Sequence, residues 1–159
     1  MPVVLNYTTS VPVIKTVAEM QAMLGEYGAS AVVVKYGADR NPVGLAFSLP
    51  TAGGDRAFTL PVDVDAVYKL LNSRETEQVY RRRHGRPLRP NHRDREHAAR
   101  VAWRTAQDWL ESQLAMVAAH MATLDQLMLP HLHVDAAGTT LYQAYVANDQ
   151  RALTAGGVS

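Results

Sequence analysis

The chain has 159 residues, of which 47% are apolar and 19% charged, with a net charge of +1 and no cysteine. That length suits one domain, or one small domain with an attached element, and the composition argues against wholesale disorder. Without cysteine there are no disulfides, thiolate zinc sites or Cys nucleophiles. No apolar run approaches bilayer length, and MPVVLNYTTS lacks a basic region followed by an apolar core. The expectation is a protein of the cytoplasm with no membrane partner.

The first seventy-two residues read as a small α/β unit. Val3 to Leu5 suits a short strand. Thr16 and Glu19 have capping-box spacing, and Val17, Met20, Met23 and Leu24 then recur at helical intervals up to Gly28. Ala31 to Tyr36 is Val-rich and predicts a strand. Gly37 to Pro42 is turn chemistry. Val43 to Leu49 predicts a second strand, with Val43, Leu45, Phe47 and Leu49 on one face. After Pro50 and Gly53-Gly54, Ala57 to Leu60 predicts a third. Asp63 suits the cap of a helix carrying Val64, Val67, Tyr68 and Leu71.

Residues 73–92 break the pattern, because Gly85, Pro87 and Pro90 oppose a continuous helix. From about Arg93 to Met128 the pattern advances in steps of three and four, through Ala102, Ala106, Trp109, Gln113, Val117, Met121, Leu124 and Met128. An unbroken helix there would be about 50 Å long, longer than the small sheet can cover. Thr139 to Val146 reads as a final helix or strand, and the tail from residue 151 as flexible. The expected fold is α+β: a small antiparallel sheet of about three strands, helices on one face, then a long amphipathic C-terminal helix. The expected organisation is a unit at 1–72, an Arg-rich connector at 73–92, a helical segment at 93–150 and a tail at 151–159, or one compact domain overall.

Charge is the strongest functional signal. Ten of the sixteen Lys and Arg residues lie between Arg74 and Arg104, all ten are Arg, and only Glu75, Glu77, Asp94 and Glu96 oppose them. The segment carries +6 and the rest of the chain −5, so a near-neutral total hides a cationic patch. Arg makes forked, bidentate contacts with phosphate. Arg81, Arg82, Arg83, Arg86, Arg89, Arg93, Arg100 and Arg104 are therefore candidate nucleic-acid contacts. The core Gly85-Arg86-Pro87 also resembles an AT-hook, in which an extended Arg-Gly-Arg-Pro lies in the minor groove of A·T-rich DNA, although His84 replaces the first core Arg. The bland alternative is a solvated connector whose charge maintains solubility or pairs with the acidic remainder.

Other constellations carry less. His131, His133 and Asp135 would share one side of a strand, which suits a divalent metal, but no further ligand pattern supports a site and none is assigned. Asp108 with Glu111 suits the polar face of a helix, and Asp63 with Asp65 a helix start. The serines lack a nucleophile elbow, and no Gly-Lys-Ser/Thr follows Gly53-Gly54. No catalytic set and no cofactor site emerges. Trp103, beside Arg100 and Arg104, is placed to stack on a base or pack inside. Trp103, Trp109, Leu114 and Met121 together form a candidate partner interface, for a second copy or for a host protein.

Two segments, TVAEMQAMLGEYGASAVVV with LAFSLP and AFTLPVDVDAVYKLL, and VAWRTAQDWLESQLAMVAAHMATLDQLMLPHL with TTLYQAY, resemble a group of small proteins of tailed bacteriophages and prophages. The resemblance rests chiefly on Trp103-Arg104, Asp108-Trp109-Leu110-Glu111 and Gln113-Leu114. It implies an accessory protein of the host cytoplasm, with a suspected role in DNA metabolism and no catalytic residues to carry across. The expected function is nucleic-acid binding without catalysis, DNA more than RNA. The alternative is a protein–protein module that modulates a host protein or assembles through its long helix.

Overall fold

A computed structural model describes residues 4–155, with side chains through 151. These residues form three strands and six α-helices in the order α1 (Val13–Glu26), β1 (Ala31–Tyr36), β2 (Pro42–Thr51), β3 (Gly54–Thr59), α2 (Val64–Leu71), α3 (Arg74–His84), α4 (Arg95–Ala118), α5 (Leu124–Met128) and α6 (Leu141–Ala155). The fold is α+β. The sheet is a three-stranded antiparallel meander, β1-β2-β3, with Val32 opposite Phe47 and Phe47 opposite Phe58.

Period-two alternation decides which side of the sheet is buried. Leu45, Phe47 and Leu49 of β2 enter the core with Phe58 of β3, while Val43, at the start of the same alternation, stays exposed. Against them pack Val17, Met20 and Leu24 of α1 and Trp103, Ala106, Leu110 and Leu114 of α4. Residues on both sides of the Arg-rich segment thus share one core. A second cluster joins Leu71, Tyr80, Leu88 and Ala98, with Val4 and Tyr7 against it.

Several expectations are corrected. The long helix is not C-terminal: α4 has 24 residues, about 36 Å, and lies mid-chain. It stops at Ala119 because His120 turns left-handed (φ 57°) and the Met121 N–H bonds back to Met116 O. Thr123 and Gln126 then form a reciprocal capping box that starts α5. The three-four apolar spacing continued across this break because α5 returns Met128 to the same core.

Residues 73–92 hold no continuous helix, as expected, but their first part forms the helix α3, which was not expected. Ser73 caps α3 by accepting from Thr76 N, Glu75 and Glu77 occupy its first turn and Arg81 to His84 its last. Each sign suits its end of the helix dipole. Gly85, left-handed at φ 65°, terminates it. Thr16 does not cap α1, which begins at Val13 after Pro12; Thr16 is buried. Val4 and Leu5 lie in a coil and turn rather than a strand, and Val3 is outside the described residues. The tail assigned from residue 151 is helical through Ala155, and the remainder of it is outside the described residues.

Candidate nucleic-acid interface

Tertiary structure sorts the ten arginines into two groups. Five have acidic partners. Arg81 Nε donates to Glu77 Oε1 at 2.6 Å, and Arg93 pairs with the other oxygen of the same carboxylate. Arg95 pairs with Asp65 while lying over the Tyr68 ring. Arg100 meets Glu96 at 2.7 Å, one helical turn away. Arg104 reaches Glu19 on α1 at 2.8 Å, and Gln107 joins both. The Glu19 carboxyl is held below its ordinary range, first by the Gln107 hydrogen bond and then by Arg104.

The remaining five, Arg74, Arg82, Arg83, Arg86 and Arg89, are exposed and have no acidic partner among the described residues. Four of them lie within eight residues, on the last turn of α3 and the loop beyond it. That loop is pinned: Leu88, between Arg86 and Arg89, is buried against Leu71 and Tyr80. A short 3-10 turn, Pro90–His92, then leads to α4, whose N-terminus is capped by Asp94 accepting from His97 N at 2.6 Å. Gly85 is a left-handed helix terminator and Leu88 is buried, so this segment does not have the extended shape of a minor-groove hook.

Tyr7 ties the two ends of the loop together. Its carbonyl accepts from His97 Nε2 at 2.6 Å, and its hydroxyl lies 3.0 Å from His84 Nε2 at the end of α3. His92 stacks on His97 at 4.7 Å between ring centroids, with its Nδ1 buried and without a partner. Burial, then the nearby His97 and Arg89, keeps His92 below the usual histidine range, partly opposed by Asp94.

The candidate stacking and interface residues fare differently. Trp103 is 0% exposed, its Nε1 without a partner, so it is core and cannot meet a base. Leu114 is buried in the same core. Trp109 is half-buried, edge-on to His131 at 5.0 Å. Met121 alone of the four is exposed, at 71%, in the turn after α4. Trp103 and Leu114 therefore do not lie on an exposed stripe of α4, because both pack against the sheet and α1.

His131, His133 and Asp135 are also separated in role. His131 packs on Trp109, where burial lowers its pKa. His133 Nε2 hydrogen-bonds Thr59 Oγ1, and Asp135 accepts from Thr139 N. Among the described residues no three His, Cys, Asp or Glu side chains are grouped to hold a metal ion. No described helix is long and apolar enough to cross a membrane.

Two features escaped the sequence reading. One is the exposed outer face of α3, with Arg74 and Gln78, which the Ser73 cap followed by Glu75 and Glu77 would have signalled as helical. The other is an open groove of about 1030 Å³ between the start of α1, the β1–β2 turn and the starts of α2 and α4. Exposed Ile14, Tyr36 and Val43 line it beside Arg40, Asp63 and Arg95. Nothing in a linear pattern brings four separate element ends together. Comparison with protein-family models, with curated proteins and with solved structures finds no match to this chain.

Proposed function

We propose that this chain is a non-enzymatic phage accessory protein that binds nucleic acid, DNA in preference to RNA, through the end of α3 and the loop after it. The observation that carries the reading is the sorting of the arginines: Arg82, Arg83, Arg86 and Arg89 stay exposed and without acidic partners among the described residues, although the chain folds acids against five others. Helix-dipole stabilisation accounts for Arg82 and Arg83, at about 0.3–1 kcal/mol each. It does not reach Arg86 and Arg89, which lie beyond the helix. Clustered cations with no internal partner match a phosphate backbone, where Arg binds bidentately. The likeness to tailed-phage proteins supports a role in phage DNA metabolism in the host cytoplasm. Fluorescence anisotropy at low salt with single-stranded DNA, duplex DNA and RNA tests it; no binding to any of the three refutes it.

A second reading, an interaction module for a host protein or a second copy, is favoured by the groove, where Ile14 is 72% exposed beside Tyr36 and Val43. Light scattering across concentrations, with Ile14→Asp as the control, tests the self-association form. A monomer at every concentration excludes that form.

A further inference from the structure

We propose that α3 is a recognition helix that enters the major groove of duplex DNA, with Arg74, Gln78 and Arg82 reading base edges while Arg83, Arg86 and Arg89 grip phosphates. This rests on the nucleic-acid reading above and specifies the partner as B-form duplex.

The argument starts from helical spacing. Arg74, Gln78 and Arg82 fall at i, i+4 and i+8, so they form one ridge on α3. All three are exposed, while Tyr80, on another side of the same helix, is buried against Leu71 and Leu88. With its side chains an α-helix is about 10–12 Å across, which fits the B-DNA major groove, about 12 Å wide, and the ridge offers about 12 Å of contact along it. Arg pairs bidentately with guanine O6 and N7, and Gln with adenine N6 and N7. An Arg-Gln-Arg ridge therefore carries the donors and acceptors that major-groove edges present.

Arg74 strengthens the case. It occupies the first position of α3, at the positive end of the helix dipole, where a cation is disfavoured. It has no acidic partner among the described residues, so neither local electrostatics nor an ion pair accounts for it. A polyanion across the groove does. Glu75, the exposed acid beside the ridge, suits the dipole and can accept from cytosine N4. Beyond the helix, pinned Leu88 holds Arg86 and Arg89 where they can meet the backbone flanking the groove.

The test selects a preferred sequence from a randomised duplex pool, then measures binding to that duplex, to the same duplex with 7-deazapurines, to the corresponding RNA duplex and to single strands. The 7-deazapurines lack the N7 acceptors, and the RNA major groove is too deep and narrow for side chains to read. The expected result is at least about fivefold weaker binding to the deaza and RNA duplexes. Gln78→Ala should lower discrimination against the wrong base to a similar extent, with the salt dependence unchanged and helicity checked by circular dichroism. Equal binding to all four ligands, with Gln78→Ala silent, overturns the recognition helix and leaves backbone binding standing. Binding to none overturns both.

Discussion

Neutralising the exposed arginines should remove a defined part of the salt dependence of binding. Arg83, Arg86 and Arg89 have no acidic partner among the described residues, so all three are available to displace counterions. On duplex DNA each phosphate neutralised contributes about 0.9 to the slope of log K against log salt, so three contribute about 2.7. Between 50 and 200 mM salt that corresponds to about a 40-fold loss of affinity. On single strands the factor is about 0.7 per phosphate, a slope near 2.1 and a loss of about 18-fold. Replacing the three by Gln should flatten the slope by those amounts and leave the fold intact, since none of the three is buried. Arg93→Gln makes the contrast. It breaks a half-buried pair with Glu77 and should lower stability more than it changes the slope. The assay is anisotropy titration at four salt concentrations, with thermal melts in parallel. A triple variant that binds with the wild-type slope would refute the assignment of these arginines to phosphate.

The remaining predictions concern the scaffold that presents them. Trp103→Ala should destabilise by about 3–5 kcal/mol, because a fully buried indole leaves a cavity; at about 2 °C or more per kcal/mol the midpoint falls by about 6 °C or more. Trp103→Phe should cost less, since Nε1 makes no hydrogen bond to lose, and equal melts for the two variants would contradict this. Gly85→Ala should cost about 1–2 kcal/mol, because φ 65° is strained for any residue with a Cβ, and chemical denaturation measures it. His92 has a folded pKa below its ordinary 6.5. The unfolded chain therefore takes up the proton first, so stability is complete above about 6.5 and declines as pH falls below it. Urea unfolding at pH 7.5 and 5.5 should show that decline, and His92→Gln should reduce it. Glu19 depends on pH in the same direction over a lower range: its depressed pKa contributes stability above about 4.5 that is lost in acid, and Glu19→Gln should blunt that part of the acid transition.

Local rules succeeded where local physics decides. The Ala31–Tyr36 strand, the alternation that buries Leu45, Phe47 and Leu49, and the Asp63 cap on α2 all depend on neighbours within one turn or one hairpin. They failed where two signals competed. The apolar period from Ala102 to Met128 masked the break at His120, because periodicity reports which side is buried and not whether the backbone turns between two buried residues.

By itself the sequence determined the α+β composition of elements, the sheet and the concentration of charge between Arg74 and Arg104, all of which follow from short-range pattern. Tertiary structure alone decided which of those charges remain free. Asp65 lies thirty residues from Arg95 and Glu19 eighty-five from Arg104, so pairing needed α2 and α1 to be folded against α4. The same packing placed Trp103 inside the core and left Arg82, Arg83, Arg86 and Arg89 outside it. Burial and ion pairing are properties of position in space, and residues distant in the chain set them.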